Sequence, residues 1–238
     1  MPCISSRLFE KLVEPSVVLL NQRLAAGHPD KSGVIQKIGM TKEASTNRRT
    51  EILRAARNLM STQGLNGVTT RQISKLVGCS EGALYVHFEG RLELLLAMLE
   101  ECLPDAFESL HTLEQARGQR TPKKNLVAAV NGIYRFHKRA VPLLAGLFAE
   151  PDLLAAYRRS LIAGNKGPHL AIAALRHYIE AEQKLQRIDQ GIDAGLAATI
   201  LLSACFLRAF VEHFFDRPMR PAWGRFSAQL VAAVIRAE

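Results

Sequence analysis

One segment, Thr69–Arg91, constrains the fold more than any other, because it contains two short helical patterns separated by a glycine. Thr69 and Gln72 have the spacing of a capping box, in which two side chains satisfy each other's backbone N–H groups at a helix start. Gly78 is predicted to end this helix. The residues predicted to be buried along it are Ile73, Leu76 and Val77.

The second pattern is a shorter helix, for which Ser80 is the predicted cap. Leu84 and Phe88 are four residues apart and are predicted to point to the core. The outward positions are then Glu81, Gly82, Ala83, Tyr85, Val86 and His87. An aromatic ring and an imidazole on the exposed side of so short a helix contribute little to packing. The two helices together are typical of a DNA-reading helix-turn-helix.

A longer helix is predicted just before this segment, over residues 47–63, with Gly64 at its end. Its apolar stripe consists of Ile52, Leu53, Ala56, Leu59 and Met60, and arginines occupy its other faces. The sequence therefore predicts three helices around one small core.

This order of elements, and in particular AARNLMSTQGLNGVTTRQISKLVGCSEGALYVHFEGRLELL, closely resembles the tetracycline-repressor (TetR) family of bacterial transcription regulators. The motifs cover residues 47–100, and the rest of the chain is similar only in layout. The resemblance implies a homodimeric repressor that binds a palindromic DNA operator and is released by a small molecule. It also implies that residues 80–88 are the recognition helix, which lies in the major groove.

Residue roles follow from the same resemblance. Tyr85 and His87, in LYVHF, would hold phosphates, and Arg91 stands where the family usually has lysine. Glu81 either accepts from a cytosine amino group or repels phosphate. The whole expected DNA-binding set is Thr70, Arg71, Ser80, Glu81, Gly82, Ala83, Tyr85, His87 and Arg91.

The positive net charge of the chain is consistent with a polyanionic partner. The chain has 31 Lys and Arg against 22 Asp and Glu, a net charge of +9 and a pI near 9.7. Residues 40–91 contain eight Lys and Arg and four acids, so they hold +4 of that excess.

Three domains are expected: residues 1–39, 40–91 and 92–238. Residues 1–39 do not fit the pattern, and Met40 is the expected start of translation, which makes them a disordered extension or a mis-assigned start. The alternative is an extra amphipathic helix through Leu8, Leu12 and Val17. Residues 40–91 would be the DNA-binding domain, and residues 92–238 the effector-binding and dimerisation domain.

The third domain is predicted to be an all-α bundle, with Gly or Pro at most of its joints. One predicted joint is at Pro142, which with Pro151 bounds a separate short segment over residues 141–150. The last two long helices are apolar on more than one face, which predicts a homodimer interface. A central helix buried in a monomer is the alternative. The expected interface residues are Ala198, Leu201, Leu202, Cys205, Leu230, Val231 and Val234.

A small apolar or aromatic effector is expected inside this bundle, with one or two hydrogen bonds. Each candidate contact has core packing or surface exposure as its alternative. The candidates are Phe107, His111, Tyr134, His137, Phe148, Tyr157, His177 and Phe210.

Other functional classes fit less well. The seven histidines form no metal-binding or catalytic motif, so no enzyme, metal or cofactor is expected. The four cysteines lack metal-like spacing, which favours a reducing cytoplasm. The apolar run over residues 194–207 is shorter than the roughly 20 residues that a bilayer requires. The remaining alternative is an architectural or effector-independent DNA-binding protein, which would show little preference between sequences.

Overall fold

The computed structural model describes residues 42–63 and 68–235, with side chains from residue 47 onward except those of residues 61 and 62. In these ranges the chain forms ten α-helices and no strand. They are α1 Lys42–Gln63, α2 Thr70–Val77, α3 Glu81–His87, α4 Arg91–Glu100, α5 Leu103–Gln115, α6 Pro122–Leu147, α7 Pro151–Ala163, α8 Pro168–Lys184, α9 Ala194–Phe214 and α10 Trp223–Val234. The predicted all-α fold class is confirmed.

The chain divides into two compact units, residues 1–50 and residues 51–238. Of the first unit only residues 42–50 are described, and they are the first turns of α1. The expected extension over residues 1–39 lies outside the described residues. The second unit contains two hydrophobic cores, described in turn below.

The first of these, here called the head core, joins the apolar faces of α1 to α4. Leu84 and Phe88 of the second predicted helix are each 1% exposed, as the sequence predicts. The core extends past the expected domain boundary at residue 91, since Leu94, Leu95 and Met98 of α4 are among its members. The end of α6 contributes Ala140, Leu143 and Leu147. The same long helix therefore packs against both the small helical head and the rest of the bundle.

The second, the body core, surrounds α6 with α5, α8, α9 and α10. Its buried members include Leu126 and Val130 of α6, Tyr178 of α8 and Val231 of α10. Fully burying a large apolar side chain stabilises a fold by roughly 1.5–3 kcal/mol. The central position of α6 follows from its apolar residues, which face several neighbours.

Helix α6 is continuous through Pro142, contrary to the joint predicted there. A proline inside a helix has no N–H to donate to the carbonyl four residues earlier, here that of Lys138. In the structure that carbonyl accepts a hydrogen bond from Nε2 of His213 on α9, at 2.6 Å. A side chain 75 residues away thus satisfies the acceptor that proline leaves open, which sequence periodicity alone does not reveal.

Gly132 marks the closest approach of α5 to α6. A Cβ at this position would lie 1.7 Å from Oγ of Ser109 and 2.4 Å from the carbonyl oxygen of Asp105. Both distances are far inside van der Waals contact. Glycine is therefore required here by the packing of the two helices.

We expect Gly132→Ala to lower the free energy of unfolding by about 1–3 kcal/mol, because α5 and α6 must separate to admit the methyl group. Gly224→Ala is the matched control, since a Cβ there meets nothing within 4 Å and alanine favours the helix. Chemical denaturation of both variants measures the difference. Equal stability of the two would contradict this close approach.

Helix α9 carries a buried polar cluster, formed by Arg208 and Glu212 of α9 with Tyr134 and Lys138 of α6. Nε of Arg208 donates to Oε1 of Glu212 at 2.6 Å, and Tyr134 donates its hydroxyl to Oε2. Nζ of Lys138 lies 3.3 Å from that same oxygen, and the Met219 N–H donates to Oε1 at 3.2 Å. Arg208 and Glu212 are only 4% and 6% exposed, so both charges depend on these partners.

Burial and hydrogen bonding in this cluster shift the pKa values of Glu212 and Tyr134. Burial alone would raise the pKa of the Glu212 carboxyl, but its hydrogen bonds from Tyr134, Arg208, the Met219 amide and Lys138 lower that pKa to about 2. Burial and the neighbouring carboxylate raise the pKa of Tyr134. Glu212 is therefore ionised at neutral pH while Tyr134 stays a donor.

Among the described residues, α9 is the one helix long and apolar enough to cross a membrane, with a mean hydropathy of 1.9 over its most apolar window. The apolar run predicted from sequence is shorter, but the helix continues through Arg208 and Glu212 to a length of 21 residues. Because 44% of that window is buried and these two charges pair within the bundle, α9 has the contacts of a core helix.

Most of the expected interface residues lie inside the protomer instead. Five of the seven belong to the body core, and the expectation that they face a partner is wrong: Ala198, Leu201, Leu202, Cys205 and Val231. Leu230 and Val234 are half-buried against the same core. The reason is that α6 and α8 already cover this face of α9.

The opposite face of α9 carries an exposed apolar stripe, here called the α9 stripe, at one-turn spacing. Three of its rings stack in series, with centroids 6.1 Å apart for Phe206 and Phe210 and 6.0 Å apart for Phe210 and Phe214. Leu207 is 60% and Phe214 71% exposed. The stripe consists of Leu196, Ile200, Phe206, Leu207, Phe210 and Phe214.

Candidate nucleic-acid interface

The helix-turn-helix begins with the predicted capping box. Oγ1 of Thr69 accepts the Gln72 N–H at 3.2 Å, and Oε1 of Gln72 accepts the Thr69 N–H at 2.9 Å. Ile73 is buried as predicted, but Leu76 is 59% exposed and Ser74 is buried in its place. The buried face of α2 is centred between Ile73 and Ser74, and a step of about 100° per residue puts Leu76 about 100° away from it.

The turn between α2 and α3 depends on Gly78, whose φ of 70° lies in the left-handed region that favours glycine. The Ser74 carbonyl accepts the Cys79 N–H at 2.9 Å, which closes the end of α2. Ser80 then begins α3, because its Oγ accepts the Ala83 N–H at 3.1 Å. The Ser80 hydroxyl proton stays available for another acceptor.

The side chains of α3 spread outward from its buried pair, Leu84 and Phe88. At about 100° per residue, Val86 lies about 180° from the buried direction, and Tyr85 and His87 lie about 80° to either side of it. The structure agrees, since Val86 is 81% and Tyr85 51% exposed while His87 is half-buried. An apolar centre flanked by two polar rings therefore faces outward.

Glu81 does not lie at the centre of the outward face of α3. It lies about 40° from the buried direction, on the side of α2. Oγ1 of Thr70 lies 3.4 Å from its Oε2, a long hydrogen bond that joins the two helices. The carboxylate is thus drawn away from the middle of the outer face, where Gly82 and Ala83 leave little side-chain bulk.

The structure brings most of the expected DNA-binding residues to one surface. Thr70 and Arg71 begin α2, with Arg71 exposed, and the residues from Ser80 to His87 form α3 and its cap. Arg91 is placed differently, because its Nη2 lies 2.7 Å from Oε1 of Glu150, the residue before α7. A phosphate contact by Arg91 would share the guanidinium with this carboxylate.

Ion pairs also reduce the net positive charge near this surface. Arg57 of α1 lies 2.9 Å from Glu101, at the end of α4, in addition to the pair between Arg91 and Glu150. Two of the eight basic residues counted in residues 40–91 are therefore balanced by acids outside that segment.

One surface residue was left without a role by the sequence prediction. Val86 is the most exposed large hydrophobic side chain in the described part of the chain. The signal was present in the sequence, since Val86 is directly opposite Leu84 and Phe88 on a helical wheel.

Residues 52–98 match the family model described as "Bacterial regulatory proteins, tetR family". Over this segment the chain is similar to the tetR family. The match covers α2, α3 and most of α1 and α4, which are the helices that build the head core. The predicted resemblance is confirmed.

Two curated relatives each match part of the chain. The chain is 44% identical over 68 residues to the nucleoid occlusion factor SlmA of Vibrio campbellii, covering 27% of this chain and 35% of that protein. It is 41% identical over 54 residues to the transcriptional repressor AcnR of Corynebacterium diphtheriae, covering 23% and 28%. The chain thus spans only about a third of the length of these relatives.

A solved structure has a similar fold over most of the chain. A TetR-family regulator from Mesorhizobium loti superposes with a TM-score of 0.62, at 19% identity, covering 82% of this chain and 97% of that one. At this identity the likeness shows the fold alone. It supports a shared architecture of head and helical body.

The structure does not bring the eight expected effector residues to one place. Tyr157 packs against the head core, and Tyr134 packs against the body core, stacked on Trp223 at 3.8 Å. Phe148 is 75% exposed at the end of α6. The others are half-buried His111, Phe107 and His177, exposed Phe210 and buried His137.

His137 is the most enclosed of these residues, at 8% exposed. Burial lowers its pKa to about 4, against a smaller upward effect of the Ile133 carbonyl bonded to Nδ1 at 2.9 Å. Its ring also contacts Phe206 edge-on, with centroids 5.6 Å apart. His137 is therefore neutral near pH 7 and lies beside the α9 stripe. No group of three metal-binding side chains occurs within the described residues.

Proposed function

We propose that this protein is a DNA-binding transcriptional regulator that reads a two-fold symmetric operator as a homodimer. The observation that carries the proposal is the outer face of α3, where Tyr85 and His87 flank an exposed centre on a helix held by only two buried residues. A recognition helix of this kind enters the major groove, and flanking polar side chains hold its register on the phosphates.

The α9 stripe supports a second copy as the partner. Six exposed apolar side chains on one helix face exceed what a monomer commonly leaves in water. In a two-fold dimer the same patch faces itself, so the stacked rings of one protomer cover those of the other. A palindromic site would require the two α3 helices of such a dimer to lie about 34 Å apart, one DNA turn.

For release from DNA, the proposal includes a small apolar or aromatic molecule that binds the helical body. Its only support is the family resemblance, because the candidate contacts are dispersed. A ligand here would act through different affinities for the DNA-bound and released states.

Selection of bound sequences from a pool of random DNA duplexes tests whether the protein is a sequence-specific DNA-binding protein. The full chain is incubated with a pool of random duplexes, and the enriched sequence competes against a scrambled duplex at fixed salt. A specific regulator should prefer its selected site by about a thousandfold or more. Equal competition by both duplexes would contradict the proposal.

We expect Tyr85→Ala to weaken binding to selected and scrambled duplexes alike, by about tenfold, because a phosphate contact carries no sequence information. Ile162→Ala on α7 is the matched control, since that side chain is 80% exposed and far along the chain from the recognition helix. Fluorescence anisotropy with labelled duplexes measures both. Unchanged affinity in Tyr85→Ala would place α3 away from DNA.

An effector-independent DNA-binding role is the second candidate. SlmA of Vibrio campbellii, to which 27% of the chain is similar, is named as a nucleoid occlusion factor rather than a repressor. The dispersed effector candidates also favour this reading. An architectural protein of this kind would show little preference between sequences, and for an effector-independent regulator that does select a site, no small apolar molecule would release it from that duplex.

A further inference from the structure

Within the described part of the chain, the Val86 side chain has little packing that would explain it. It lies directly opposite the buried pair of α3 and is 81% exposed. Valine is also a weaker helix former than alanine or leucine. Both solvation and helix propensity therefore disfavour valine at this position of the isolated chain.

Gly82 lies one turn earlier on the same face, and it is likewise an unfavourable residue for the isolated chain. A Cβ there would meet only Oγ of Ser80, at 3.8 Å, so the chain has room for a side chain. Glycine inside a helix is nevertheless among the least favourable residues. No described residue requires glycine at position 82, whereas a surface that approaches the α3 backbone closely would.

The polar alternatives for base reading on this face are few. Glu81 is turned toward Thr70, and Ala83 has only a methyl group. Tyr85 and His87 lie at the flanks, where the phosphates of a groove would be. The centre of the face can offer bases only apolar contact.

Among the base edges of the major groove, the 5-methyl group of thymine is the apolar one. We propose that Val86 is a specificity-determining residue that packs on a thymine 5-methyl group in each half-site, with Gly82 allowing the close approach. This inference rests on the proposed DNA-binding function and deepens it by naming the base that α3 selects.

The test compares thymine with deoxyuridine, which differs by that methyl group alone. Duplexes of the selected sequence carry deoxyuridine at one thymine position at a time, in both half-sites. For the unmodified protein, one position should lower affinity about fourfold per half-site, from loss of one buried methyl. In Val86→Ala the ratio of thymine to deoxyuridine affinities at that position should fall to about one.

Leu76→Ala is the matched control, because Leu76 is also an exposed apolar residue of the helix-turn-helix, on α2. It should keep the full thymine preference. If Val86→Ala keeps that preference too, or if no thymine position responds to deoxyuridine, the inference is wrong while the selected site still supports DNA binding. Failure to select any sequence would instead overturn the proposed function, and the inference with it.

Discussion

Replacing Glu212 with alanine is expected to lower the free energy of unfolding by about 3–5 kcal/mol, because it leaves the buried Arg208 guanidinium without its counter-charge. Arg208 would keep only neutral acceptors, the carbonyl oxygens of Met219 and Pro221. Tyr134 and Lys138 would lose their shared acceptor as well. Urea denaturation followed by circular dichroism measures the loss.

The chain contains a matched control for this prediction. Arg176 and Glu180 have the same spacing of four residues on α8, but their side chains are 47% and 43% exposed. Glu180→Ala should cost no more than about 0.5 kcal/mol, since exposed ion pairs contribute little. Similar losses in the two variants would show that burial does not set the energy of the Glu212 pair.

The double variant Arg208→Met, Glu212→Leu should recover much of the stability, because no unpaired charge is left in the core.

The same cluster predicts a dependence of stability on pH. The folded-state pKa of Glu212, about 2, is below its ordinary value of 4.5. The carboxylate therefore adds stability above its ordinary pKa, and that stability is lost as the pH falls from about 5 toward 2. In Glu212→Ala this part of the acid dependence should be absent.

Leu207→Arg is expected to convert the protein to a folded monomer and to weaken operator binding about a hundredfold or more. An arginine at the centre of the α9 stripe would have to be desolvated against its symmetry mate, and two linked heads bind far more tightly than one. Light scattering gives the oligomeric state, and anisotropy gives the affinity. Because Leu207 is 60% exposed in the protomer, its replacement spares the body core.

Two further substitutions test whether the α9 stripe is the surface that contacts the second protomer. Ile162→Arg, on an 80% exposed side chain of α7, should leave the oligomeric state and DNA affinity unchanged. Leu201→Arg should unfold the protomer, since Leu201 is fully buried in the body core. A Leu207→Arg protein that stays dimeric would move the partner surface away from α9.

Local signals were sufficient for the helix-turn-helix. The capping box at Thr69, the left-handed Gly78, the Ser80 cap and the inward pair Leu84 and Phe88 all depend on contacts within a few residues. Such contacts are recorded directly by residue spacing. The resemblance to the TetR family rests on the same short stretch.

Prediction was weaker wherever a distant residue decided the outcome. Pro142 should end a helix by its own chemistry, and it does not because His213 satisfies the Lys138 carbonyl. Arg91 was expected among the DNA-binding residues, and its pairing with Glu150, 59 residues along the chain, was not foreseen.

Residue patterns alone were enough to predict a helical chain with a helix-turn-helix near residues 69–91, because capping, periodicity and glycine turns act locally. Which apolar face of α9 is buried in the protomer's own core, and which is exposed, depends on the packing of distant helices. An all-round apolar helix such as α9 has no periodicity that separates the two faces. The neighbouring helices α6 and α8 pack against one face of α9, so that Leu201 is buried and Leu207 is exposed to solvent.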